Sequence, residues 1–97
     1  MMVQDNFRPV VGTGQTLPIG AASVASAAIP AGTFYVRISA TTNCHVQVAG
    51  APVATSTDML VKASDPPAII RVQPGEKIAV IQDAASTGNL NLIGVTH

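Results

Sequence analysis

The stretch 33–49, TFYVRISATTNCHVQVA, decides the fold class of this chain. Its first half sets Phe34, Val36 and Ile38 against Tyr35, Arg37 and Ser39, and its second half sets Cys44, Val46 and Val48 against His45 and Gln47. An apolar period of two is the mark of a half-buried strand, because successive side chains of an extended backbone point to opposite faces. Outward from it, MLVKA (59–63) offers Met59, Val61 and Ala63 against Leu60 and Lys62, and AIIRV (68–72) and KIAVIQD (77–83) follow. NLNLIGV (89–95) closes the series with Leu90 and Leu92 against Asn89 and Asn91. RPVVGTGQTLPIG (8–20) reads as one or two weaker strands broken by glycine. GAASVASAA (20–28) alone has helical propensity, yet its Ser-Val-Ala-Ser centre also alternates.

The joints agree. In VQPGEK, Pro74 presets φ for the second position of a turn and Gly75 supplies the positive φ a type II turn needs at the third. PAGT (30–33) does the same, AGAP (49–52) ends the cysteine strand, and SDPP (64–67) is an extended corner, since the residue before a proline is pushed out of the helical region. Seven prolines and eight glycines leave no room for long helices. The expectation is one all-β domain over 1–97, an antiparallel sandwich of about 7–8 short strands. The units PAGTFYVRI…CHVQV and PGEKIAVI…NLNL repeat the order turn, strand, linker, strand about 43 residues apart. Two such halves suit a jelly roll built from two Greek keys.

Composition narrows the function classes. A chain of this mass buries about 64% of its unfolded surface, enough for one core and little besides. One cysteine forms no internal disulfide, so folding in a reducing cytoplasm is the expectation. Charged residues are 10% of the chain, against about 25% in an ordinary soluble domain, and the net charge is zero. That scarcity points to a subunit of an assembly, and the absence of a basic stripe argues against nucleic-acid binding. No apolar run approaches the ~20 residues of a membrane span. Asp5 and Arg8 cancel ahead of the Ala-rich segment, and Pro18 and Gly20 interrupt it, which argues against a secretory signal.

The adjacent Cys44 and His45 are the obvious candidates for chemistry. On a strand they face opposite ways, Cys44 with Val46 and Val48 and His45 with Gln47, so they do not converge on one atom or one metal. The expectation is a buried, inert Cys44 and a His45 facing solvent or an interface. With His97 as the second histidine, a metal site lacks ligands. Of the acids Asp5, Asp58, Asp65, Glu76 and Asp83, two, Asp65 and Glu76, sit in predicted turns, and Asp83 ends a strand. No catalytic, cofactor-binding or metal residue is therefore assigned, and the chain reads as a non-enzyme. GTG (12–14) lacks the third glycine or Lys-Ser/Thr of a phosphate loop. Among Phe7, Phe34 and Tyr35, Phe34 reads as core and Tyr35 as a candidate interface residue.

The Thr41-x-x-Cys44-His45-Val46 strand, Gly50, Pro52 and Ala54-Thr55, the Asp58-Met59-Leu60-Val61 strand, the Pro74-Gly75 turn into Lys77-Ile78-Ala79-Val80-Ile81, and Gly88-x-Leu90-x-Leu92 together resemble small structural proteins of tailed bacteriophage virions. The resemblance covers about residues 33–95. It implies a β-sandwich that binds the major capsid protein and other virion proteins and performs no reaction. The chain would be a capsid decoration or cement protein, made in the bacterial host cytoplasm and placed on the capsid surface. A homo-oligomer, with a trimer as the leading case, would use residues 1–14 as a docking arm beside a core of 15–97. A neck, tail or fibre-associated protein recognising a host surface is the alternative within the virion, and a small carbohydrate-binding module is the alternative outside it.

Overall fold

A computed structural model describes residues 8–64 and 66–96. These residues contain strands and turns only. The strands are β1 (Arg8–Pro9), β2 (Gln15–Ile19), β3 (Val24–Ala25), β4 (Tyr35–Ala40), β5 (Cys44–Ala49), β6 (Met59–Val61), β7 (Ala68–Arg71), β8 (Lys77–Gln82) and β9 (Gly88–Thr96). One sheet has the order β2-β9-β4-β7, with β1 also on β9, and the other has the order β3-β8-β5-β6. Every pairing is antiparallel.

Leaving β1 aside, first pairs with last and inward from there: β2 with β9, β3 with β8, β4 with β7, β5 with β6. A ribbon paired in this nested way and wound so that β4 also meets β9, and β5 also meets β8, is a jelly roll. The two echoing sequence units therefore lie against each other, β4–β5 of one pairing with β9–β8 of the other.

The core fills the space between the sheets. Leu17 and Ile19 of β2, Val36 and Ile38 of β4, Cys44 and Val46 of β5, Ile78 and Val80 of β8, and Leu90 and Leu92 of β9 form one buried cluster. Each comes from the inward set of an alternating strand, which is why the period of two was diagnostic. Both predicted turns form. Glu76 N donates to Gln73 O at 3.1 Å with Gly75 at φ 90°, and Thr33 N donates to Pro30 O at 3.2 Å with Gly32 at φ 87°. They sit side by side, since Gly75 N and Ile29 O are 2.8 Å apart and Ile29 N and Glu76 O 2.7 Å.

Two expectations are corrected here. Arg8 and Pro9 of the expected 1–14 arm form β1 on the sheet edge, and residues 10–14 connect it to β2. Arg8 pairs with Thr96 and Pro9 with Val95, Val10 N donates to Gly94 O at 2.8 Å, and Gly94 N donates to Thr13 Oγ1 at 2.8 Å. Residues 1–7 of that arm lie outside the described residues. Phe34 is 49% exposed and not core. It stands one residue before β4, where its carbonyl still accepts Val72 N at 2.8 Å, and its side chain is half exposed although Val72 opposite it is buried.

Candidate functional site

The residues with chemistry gather on the outer face of the β3-β8-β5-β6 sheet. His45 lies opposite Leu60 on one side and Ile81 on the other, and Gln47 lies opposite Ala79, so these side chains share that face. Cys44, one residue along, faces the core and is fully buried.

Of the two settings expected for His45, solvent or an interface, solvent is excluded, since it is 8% exposed. The cover comes from residues 50–58, the connection from β5 to β6, which folds back as a strap. Val53 N donates to Gln47 Oε1 at 3.0 Å, and Ala54 N donates to Ser23 Oγ at 2.9 Å. Ser23 adjoins β3 and Gln47 is on β5, with β8 between them, so the strap must cross β8. That crossing explains why Ala79, on the outer face of β8, is fully buried, and why Ala54 in the strap is 2% exposed.

Asp58 closes the strap. Its carboxylate accepts Thr55 N at 2.7 Å and Gln47 Nε2 at 3.2 Å, and its own amide donates to Thr55 O at 3.1 Å. The turn over 55–58 is thus closed twice, by its backbone bond and by the Asp58 carboxylate reaching back three residues to Thr55 N. Backbone and side-chain bonds from Thr55, then Gln47, hold the Asp58 carboxyl below its ordinary value of 3.8.

The imidazole is clamped between two acceptors. Nδ1 lies 3.0 Å from Asp58 O, and Nε2 lies 2.9 Å from Asp83 Oδ1. A carbonyl and a carboxylate only accept, so both bonds form fully only when both ring nitrogens carry protons. The Asp58 carbonyl first, and Asp83 second, raise the His45 pKa above its ordinary 6.5. In this state neither nitrogen has a lone pair to take a proton from a nucleophile or to bind a metal. Burial, and then the negative charge of Asp83, push the Cys44 thiol up to about 11, which favours the thiol over the thiolate.

The structure thus brings together three residues the sequence kept apart: His45, Asp58 and Asp83. Their joint signal is faint, a TSTD turn-forming run at 55–58 and an acid at the end of a strand. Glu76 is elsewhere, its carboxylate accepting Gln73 N at 2.7 Å in the Pro-Gly turn. Asp5, Phe7, Asp65 and His97 lie outside the described residues. Among the described residues no three His, Cys, Asp or Glu side chains are placed to hold a metal ion, and no helix is long and apolar enough to cross a membrane. Compared with protein-family models, curated proteins and solved structures, the chain matches none.

Proposed function

We propose that this chain is a structural protein of a tailed-bacteriophage virion, a decoration or cement protein that binds the major capsid protein and stabilises the shell. The observation that carries the reading is the complete jelly-roll order in so short a chain, an architecture shared with viral capsid domains. Jelly rolls also serve other functions, so the surface and the polar cluster supply the rest of the argument. Charge is scarce, and Val11, Phe34, Val53, Met59 and Leu60 expose apolar side chains, as suits a surface that is covered in an assembly. The one polar cluster spends its donors and acceptors on holding the strap, an architectural role.

Stabilisation would follow from mass action, because a protein that binds only the assembled lattice shifts the equilibrium towards it. The docking element in this reading is the segment ahead of β1. Deleting residues 1–7 leaves every strand of the described residues in place, and is expected to abolish shell attachment while the circular dichroism of the fold is kept.

The deciding experiment is quantitative mass spectrometry of purified particles encoded with this chain, giving its copies per major capsid subunit. A ratio near one, or a simple fraction of it, supports cement. A few copies to a few dozen per particle would move the protein to the neck, tail or fibre, and none would remove the virion reading.

A further inference from the structure

The four-stranded sheet ends on β6, and β6 is unlike the other sheet edges. β1 and β2 carry Pro9 and Pro18, which donate no ladder bond. β3 is two residues long, after which Ser26 Oγ accepts Ile78 N at 3.0 Å in place of a ladder partner. β7 is entered through Pro66-Pro67 and ends on Arg71. Short length, proline and edge charge are the usual guards against pairing with another chain. β6 pairs with β5 on one side only and contains Met59, Leu60 and Val61, with no proline, glycine or charge. Met59 is 48% and Leu60 43% exposed.

We propose that β6 pairs antiparallel with β6 of a second copy of this chain about a two-fold axis through Leu60, joining the two four-stranded sheets into one. The flanking charges carry the choice of occupant. That axis sets Leu60 beside the partner's Leu60, Met59 beside the partner's Val61, and Asp58 beside the partner's Lys62. By symmetry the acid–base pair occurs twice across one interface, and opposite charges in direct cross-strand register favour pairing. Moving the axis one residue to Met59 would set Asp58 beside Leu60 and Lys62 beside Ser56. Moving it to Val61 would set Lys62 beside Leu60 and Asp58 beside Ser64. Only the Leu60 axis matches the charges, so the register is specified.

The axis is also indifferent to backbone phase, because an antiparallel two-fold passes equally through a bonded or a non-bonded pair. Asp58 is held at the start of β6 by Thr55 N and Gln47, so its carboxylate is already ordered. The Lys62 side chain is exposed. The assembly is a dimer rather than the trimer expected from the resemblance, and it holds whether or not the chain is a virion component.

Sedimentation equilibrium of the full chain, with Leu60→Cys, Val11→Cys and Lys62→Glu variants, tests this. In either kind of antiparallel pair the two Cα atoms are about 4.5–5.5 Å apart, within disulfide range. Leu60→Cys should therefore cross-link into dimers under mild oxidation at least about tenfold faster than Val11→Cys, whose side chain is exposed away from this edge. The wild-type chain should sediment as a dimer, and Lys62→Glu, which sets a second acid beside Asp58, should shift it to monomer with an unchanged circular dichroism spectrum. A monomer at every concentration, a trimer, a dimer unaffected by Lys62→Glu, or equal cross-linking rates for the two cysteine variants would each overturn the proposal.

Discussion

His45 and Asp83 are 38 residues apart in sequence, yet Nε2 of one lies 2.9 Å from Oδ1 of the other, at the edge of a sheet face that the strap covers. The carboxylate and the Asp58 carbonyl on the other side of the ring make the imidazolium the form that satisfies both contacts.

Stability should therefore depend on pH with a definite sign. The folded-state pKa of His45 is raised above 6.5, so its contribution is fully present below about pH 6.5 and is lost as pH rises through the folded value. Asp58 acts on the acid side: its pKa is lowered from 3.8, so its contribution is present above that value and is lost as pH falls through the folded one. These two groups predict greatest stability between about pH 4 and 6.5. Urea melts across pH 3–9 check this, and His45→Gln should flatten the fall on the alkaline side. An NMR titration placing the His45 pKa at or below 6.5 would contradict the clamp.

Asp58 should hold the strap closed. Replacing it with Ala removes the acceptor for Thr55 N and Gln47 Nε2, two of the bonds that fix residues 50–58 over β8. The expected outcome is local: a lower melting temperature, with limited proteolysis now cutting between residues 50 and 58 before the core opens. Asp58→Asn keeps an acceptor oxygen and should be cut more slowly than Asp58→Ala. Equal cutting of wild type and Asp58→Ala would mean that the strap is held by other contacts.

The strands were legible because each has one wet and one dry side. Val36 and Ile38, or Leu90 and Leu92, declare the inward face by period alone, and Pro74-Gly75 declares its turn by the φ values it needs. What alternation does not carry is what lies on top of a sheet. Gln47 and His45 read as surface residues because their cover comes from residues 50–58 crossing to Ser23, a tertiary event with no local signature. Phe34 failed in the opposite sense: its phase is inward, yet its side chain is 49% exposed just ahead of β4, while Val72 opposite it is buried. The two weaker strands read over 8–20 are β1 and β2, and Gly12, with φ 86°, lies in the turn that breaks them.

Gly88 should tolerate no side chain. A Cβ there would collide with Thr41 Oγ1 and lie 2.7 Å from Thr42 Oγ1. Thr41 Oγ1 is not free to move, since it accepts Asn89 N at 2.8 Å while Thr41 N donates to Asn89 O at 2.9 Å. Thr42 Oγ1 is buried without a hydrogen-bond partner. Gly88→Ala is expected to cost about 1–3 kcal/mol, the range for overpacking a closed site. Chemical denaturation measures it, and shortening the neighbour in Gly88→Ala/Thr42→Ala should recover part of the loss.

Cys44 should be silent as a thiol until the sandwich opens. Its side chain is fully buried and its pKa is pushed up to about 11, by burial first and by the charge of Asp83 second. At pH 8 only about one native molecule in a thousand would carry the thiolate that alkylating reagents attack. Reaction with iodoacetamide should then follow the opening equilibrium, slow in buffer and fast near the urea midpoint, with a rate that tracks global stability across variants. Asp58→Ala, which frees the strap on the opposite face of the sheet, should leave that rate nearly unchanged apart from its effect on global stability. Rapid labelling of the native wild-type chain would mean that Cys44 is reachable from solvent without unfolding, and that β5 is more loosely packed against the core than its burial implies.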